Sequence, residues 1–176
     1  ESYVLAGPLP PLAIPTTLHD SLTARLDRLV PVKEVAQIGA AIGREFSYEL
    51  LALVSPLRQN QLHEALERLE QSELVFRRGT PPHATFTFKH ALVQDAAYDG
   101  LLRSKRQQIH AAIARAIAER FPEKAIVQPE VLAHHYLQAL ELAAALEAAR
   151  KAGGDVAMLV ERAEQALHRA GLRAIR

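Results

Sequence analysis

The sequence predicts a mainly α fold: three helices and a hairpin in the order of a winged helix-turn-helix with a two-stranded β wing, then antiparallel helical hairpins. Three observations carry this. Apolar residues recur three and four apart through most of the chain; between Leu74 and Lys89 the period changes from about 3.6 to about 2; and from His90 the helical spacing resumes. Helices, hairpin, helices is the resulting order.

Pro8, Pro10, Pro11 and Pro15 fix φ and remove donors over the first sixteen residues, so this stretch reads as an extended linker. Behind Thr17, Leu18, Leu22, Leu26 and Leu29 mark a leading helix, and residues 1–30 form a first unit. After Pro31, the stripe Val35, Ile38 and Ile42 marks a second helix, with Gly43 placed for a left-handed cap. Phe46 and Ser47 have the order of a hydrophobic staple and N-cap for a short third helix through Leu50, Leu51 and Val54. Ser55 and Pro56 open a fourth, in which Leu62, Leu66 and Leu69 share one face. The run from Leu74 to Arg77, the turn residues Gly79, Pro81 and Pro82, and the alternating Ala84 to Lys89 then give a hairpin.

His90 to Leu102 reads as a helix stepping through Val93, Ala97 and Leu101. Ser104 and Gln107 suit a capping box for the next, with Ile109, Ile113 and Ile117 on one stripe, closed by Phe121 and Pro122. Residues 31–121 therefore make the second unit. In 122–176, Pro129 and Glu130 start a helix to about Lys151; Gly153, Gly154 and Asp155 precede a last one ending at Gly171. Alanine is abundant in both, which lets helices approach closely, as in stacked hairpins.

The 176 residues, 49% apolar and 23% charged, are enough to bury a core. Lys and Arg number 21 against 20 Asp and Glu, so the net charge of +1 provides no general field for nucleic acid. The lack of cysteine excludes disulfides, thiolate metal sites and cysteine nucleophiles, and fits a cytoplasmic location. No apolar run approaches the ~20 residues of a membrane span, and no basic n-region precedes an apolar core at the start. Opening without methionine, the chain is expected to be a segment of a longer protein.

No phosphate-binding GxxxxGK[ST] loop, GxSxG or GxGxxG occurs, so no catalytic residue is assigned and the segment is expected not to be an enzyme. His63 and Glu64 begin an HExx pattern, but Glu67 stands where the second histidine belongs. His134 and His135 are adjacent and point about 100° apart on a helix, which predicts one buried and one solvated imidazole and no metal site.

For DNA, the helix that would enter the groove is decisive. From Leu57 to Glu73 it carries Arg58 and Arg68 against Glu64, Glu67, Glu70 and Glu73, a net charge of −2. Phosphate contacts would fall to Arg77, Arg78 and Lys89 on the hairpin, so DNA is not the expected partner. Arg103, Lys105 and Arg106 form a second basic cluster, and with Arg77 and Arg78 they are the candidate contact surface for an acidic partner.

The phrases IPTTLHDSLTARLDRL (Ile14 to Leu29) and FTFKHALVQDAAYDGLL (Phe86 to Leu102), with RQQIHAAIARAIAERF after them, resemble the segment downstream of the nucleotide-binding domain in bacterial STAND-type ATPases. The nearest subgroup is fused to class III adenylate or guanylate cyclase domains. PEVLAHHYLQA (Pro129 to Ala139) is similar to the opening of that family's tetratricopeptide-like region, from which the alanine-rich remainder departs.

The resemblance implies a regulatory module, with the upstream ATPase domain and the downstream helical repeats of the same chain as its partners. ATP or ADP and Mg²⁺ belong to the parent, and no cofactor to this segment. It also implies a nucleotide-sensing residue. His90, in Phe88-Lys89-His90-Ala91, matches in place the histidine of a methionine-histidine-aspartate phrase that approaches the ADP phosphate; the residues on either side of it differ from that phrase. A structural role as the cap of the following helix is the alternative for His90. For the chain as a whole, the alternatives are a segment of a DNA-binding transcriptional regulator and a protein-interaction scaffold.

Overall fold

The computed structural model describes residues 16–27, 32–147, 161 and 165. They form a mainly helical protein with a small three-stranded antiparallel sheet. The elements are α1 (Thr16–Asp27), α2 (Val32–Ile42), β1 (Glu45–Ser47), α3 (Tyr48–Val54), α4 (Gln59–Gln71), β2 (Val75–Arg78), β3 (Thr85–Phe88), α5 (Ala91–Asp99), α6 (Arg103–Arg120), α7 (Pro122–Val127) and α8 (Pro129–Glu147). The expected end of α8 near Lys151, and the last helix, lie outside the described residues save Glu161 and Gln165, which are helical.

The hairpin is present, but its sheet has a third strand. β3 lies in the middle, pairing with β2 on one side and β1 on the other, with Phe46 opposite Phe86. Phe46 is therefore a strand residue rather than a staple. Its ring stacks on Phe86 at 5.7 Å and tilts against Phe88 at 5.5 Å, so three phenylalanines cover the inner face of the sheet. Aromatic pairs of this kind add to the area they bury. α2 closes over them at Gly39, where a side-chain Cβ would lie 2.8 Å from the Phe46 ring.

Other starts and stops differ from expectation for local reasons. Gly43 has φ +154, far from the left-handed helical value of about +57, and turns the chain directly into β1. Ser47 does cap α3, accepting from the Leu50 N–H at 3.3 Å. Ser55 and Pro56 remain in a turn in which the Ser55 hydroxyl accepts from the Leu57 N–H at 3.2 Å; α4 starts three residues on, where Gln61 Oε1 accepts from the Arg58 N–H. At α6 the cap position is Leu102, with no side-chain bond, and the Ser104–Gln107 box does not form because Ser104 is already inside the helix. Pro122 opens the short α7 instead of merely closing α6, since proline fits a first helical turn.

Two apolar clusters result. The first joins Leu26, Val35, Ile38, Leu62, Leu66, Leu69 and Val93 to the phenylalanines. The second lies where α8 packs on α6, and brings Ile113, Ala114 and Ile117 against Leu132, Ala133, Tyr136 and Ala139. Ile42, Val54, Tyr98 and Ile109 touch both clusters. Small side chains on α8 make that approach close.

Candidate functional site

The polar centre of the molecule sits on the seam between these clusters. α5 presents Tyr98 from its last turn, α6 presents His110 on the same stripe as Ile113 and Ile117, and α8 presents His135 between Leu132 and Ala139. His110 and His135 are almost fully buried, 2% and 1% exposed, a position imidazoles occupy only when bonded. Tyr98 Oη lies 2.9 Å from His110 Nε2, and His110 Nδ1 lies 2.9 Å from His135 Nδ1. One hydrogen-bonded line thus crosses α5, α6 and α8. His134 is exposed beside it, with its ring 5.3 Å from His135 and 6.0 Å from His110.

The electrostatics follow from burial. His110 is lowered to about 4, chiefly by burial and then by His134 and Arg106; His135 is lowered to about 3 by burial, then by His110 and His134. Both rings are neutral at neutral pH. Two tautomer patterns satisfy the line: either Tyr98 donates to Nε2 and His110 Nδ1–H donates to His135, or His135 Nδ1–H donates to His110, whose Nε2–H then donates to Tyr98 Oη. Burial also raises the Tyr98 phenol, with Arg106 opposing. The Arg106 guanidinium lies 4.4 Å over the Tyr98 ring and donates to the carbonyls of Leu101 and Asp99 and to the Asp99 carboxylate.

This places the residues singled out from sequence. Adjacent His134 and His135 divide into solvated and buried as expected, yet their rings lie 5.3 Å apart, with His110 5.2 Å from His135 and 6.0 Å from His134. His110 was missed, although its position four before Ala114 on the α6 stripe was the available signal. Arg106 is turned inward against Tyr98, while Arg103 and Lys105 are exposed, Lys105 lining a ≈ 330 Å³ cleft with Glu34 and Gln37. On β2, Arg77 pairs with Glu70 at 3.4 Å and Arg78 is exposed. Lys89 pairs with Glu73 at 3.4 Å and lies over the exposed Phe76 ring. His63 bonds Glu67 at 3.3 Å, a surface pair in place of a metalloprotease motif. His90 is exposed in the N-cap position of α5 and its side chain makes no cap bond.

A second cleft of ≈ 400 Å³ opens between the sheet and the α6–α8 layer, with Glu45, Ser47, Thr85, Lys124, Gln128 and His135 among its walls. Ile42, Leu50, Ile117, Phe121 and Val131 line it as well, so the buried end of the histidine line meets a cleft of mixed polar and apolar character.

No family model matches the chain, and no solved structure matches it. An uncharacterized protein of Rhizobium meliloti is 29% identical over 115 residues, a stretch that covers 65% of this chain and 11% of that protein. The matched stretch thus spans about a tenth of that relative's length.

Proposed function

We propose that this chain is a non-catalytic, winged-helix regulatory module of a larger STAND-type signalling ATPase of the group joined to class III adenylate or guanylate cyclase domains. It couples the nucleotide state of an upstream ATPase domain to downstream helical repeats, in the cytoplasm. α2, α3 and α4 take the helix-turn-helix positions, and the β2–β3 hairpin is the wing. ATP or ADP and Mg²⁺ bind the parent; the nucleotide phosphate is met by His90.

The observation that carries this reading is the bonded line Tyr98–His110–His135. His90 stands at the first end of α5 and Tyr98 in its last turn, so a push on the hairpin exit is delivered through α5 to α6 and α8. The exposed, non-capping side chain of His90 is free to meet a phosphate from another domain. The match of a short stretch within a much longer relative supports work inside a large chain. DNA is disfavoured further by the pairing of Arg77 and Lys89 with glutamates.

ADP release from the full-length parent tests the reading. A charge-assisted bond from His90 is worth about 1.5–3 kcal/mol, so His90→Ala should speed release about tenfold or more. Tyr98→Phe, at the opposite end of α5 from His90, should raise basal output by loosening the relay. Unchanged release in a well-folded His90→Ala parent removes the sensor role, and unchanged output with Tyr98→Phe removes the relay.

A further inference from the structure

We propose that His110, His134 and His135 form a binding site for a divalent first-row transition cation of the Zn²⁺ class, with a fourth coordination position left to water. This goes beyond the regulatory reading and does not depend on it. The three rings enclose a small triangle, with centroid separations of 5.2, 5.3 and 6.0 Å, and one ligand nitrogen from each lies within 4.8 Å of the others.

Two nitrogens on one tetrahedral zinc, each about 2.0–2.1 Å from it, stand roughly 3.3 Å apart. The 2.9 Å Nδ1 pair needs to open only slightly to admit an ion, while the exposed His134 can turn inward to become the third ligand. Three imidazoles and a water make a set that borderline cations prefer over Mg²⁺ or Ca²⁺, which take oxygen ligands.

The surroundings supply the outer support that metal-bound histidines require. With Nδ1 of His110 on the ion, its Nε2 carries the proton and donates to Tyr98 Oη, already 2.9 Å away. Arg106 fixes Tyr98 from above, and its own charge is met by Asp99 at 3.4 Å. The reaction is a simple exchange. The N–H now between the two Nδ1 atoms moves to an Nε2 position, the cation takes its place, both rings stay neutral and nothing is oxidised.

The test is titration of the chelator-stripped 176-residue chain with Zn²⁺, read by calorimetry, by metal content after dialysis and by thermal midpoint. Expected are one equivalent bound with a Kd of about 1 µM or tighter, a raised midpoint, and a tetrahedral visible spectrum with Co²⁺. His134→Gln alters an exposed side chain and should keep the fold while weakening binding at least tenfold. Tyr98→Phe should weaken it about tenfold through the outer contact. Absence of saturable binding in the unmodified chain, or equal binding by a folded His134→Gln variant, overturns the site; the second result would assign the ion to other surface histidines.

Discussion

The Nδ1 atoms of His110 and His135 lie 2.9 Å apart between α6 and α8, close enough that the two rings share a single proton. At most one ring can be charged with this contact intact, and burial disfavours even that single charge, because two imidazolium ions would face each other donor to donor without solvent between them. The line through Tyr98 is therefore a stabilising contact only above the acid range.

Stability of the metal-free protein should fall as pH drops. Unfolded histidines titrate near 6.5, whereas the folded rings are lowered to about 4 for His110 and about 3 for His135. Between these values the unfolded chain binds more protons, so unfolding free energy rises with pH across the window and is lost as pH falls below about 6.5. Each ring contributes a slope of up to about 1.4 kcal/mol per pH unit. Urea unfolding in EDTA from pH 7 to pH 5 measures it, and a flat profile would mean that the rings are not buried as a neutral pair.

Tyr98→Phe should cost the isolated chain about 1–2 kcal/mol, since it leaves a buried imidazole nitrogen without its partner. The apolar ring stays, so packing loss is small. Denaturant midpoints at pH 7.5 decide this; a change under about 0.5 kcal/mol would place the hydroxyl outside the network.

DNA binding, if measured at low salt, should disappear by about 150–200 mM salt. Arg77 and Lys89 each face a glutamate, so few phosphates can be neutralised. Glu70→Gln with Glu73→Gln should release both cations and raise low-salt affinity, steepening the log-log salt slope by close to 0.9 per added contact. A sequence-selective complex formed by the unmodified chain and stable at 200 mM salt would favour the transcriptional reading instead.

Much of the helical frame was legible because its signals are local. Val35 and Ile38 in α2, Leu62, Leu66 and Leu69 in α4, the Phe86/Phe88 alternation and the Ser47 cap all depend on neighbours within a few positions. β1 was not, because three residues show no period and the pairing of Phe46 with Phe86 spans forty positions of chain. α7 is too short to display a stripe. The histidine centre was half legible: the adjacent His134 and His135 announce one buried ring, but only packing of α8 on α6 brings in His110. Arg106 read as surface charge because nothing in its own helix reveals Tyr98 beneath it.

Gly39 gives the sharpest test of the packing that holds the sheet to α2. In an ordinary exposed helix interior, glycine to alanine gains about 1 kcal/mol from propensity. Here the added methyl would sit 2.8 Å from two carbons of the Phe46 ring. That ring cannot step aside, since Phe86 and Phe88 contact it and its backbone is pinned to β3. Overpacking of this kind costs about 1–3 kcal/mol, so Gly39→Ala should destabilise the chain despite the better propensity. Phe46→Leu alone should also destabilise, by removing buried aromatic area. Combined, the smaller leucine leaves room for the methyl, and the double variant should be more stable than the sum of the two losses by about 1 kcal/mol or more. Strict additivity in that cycle, measured by urea unfolding, would show that Gly39 and Phe46 do not press on each other.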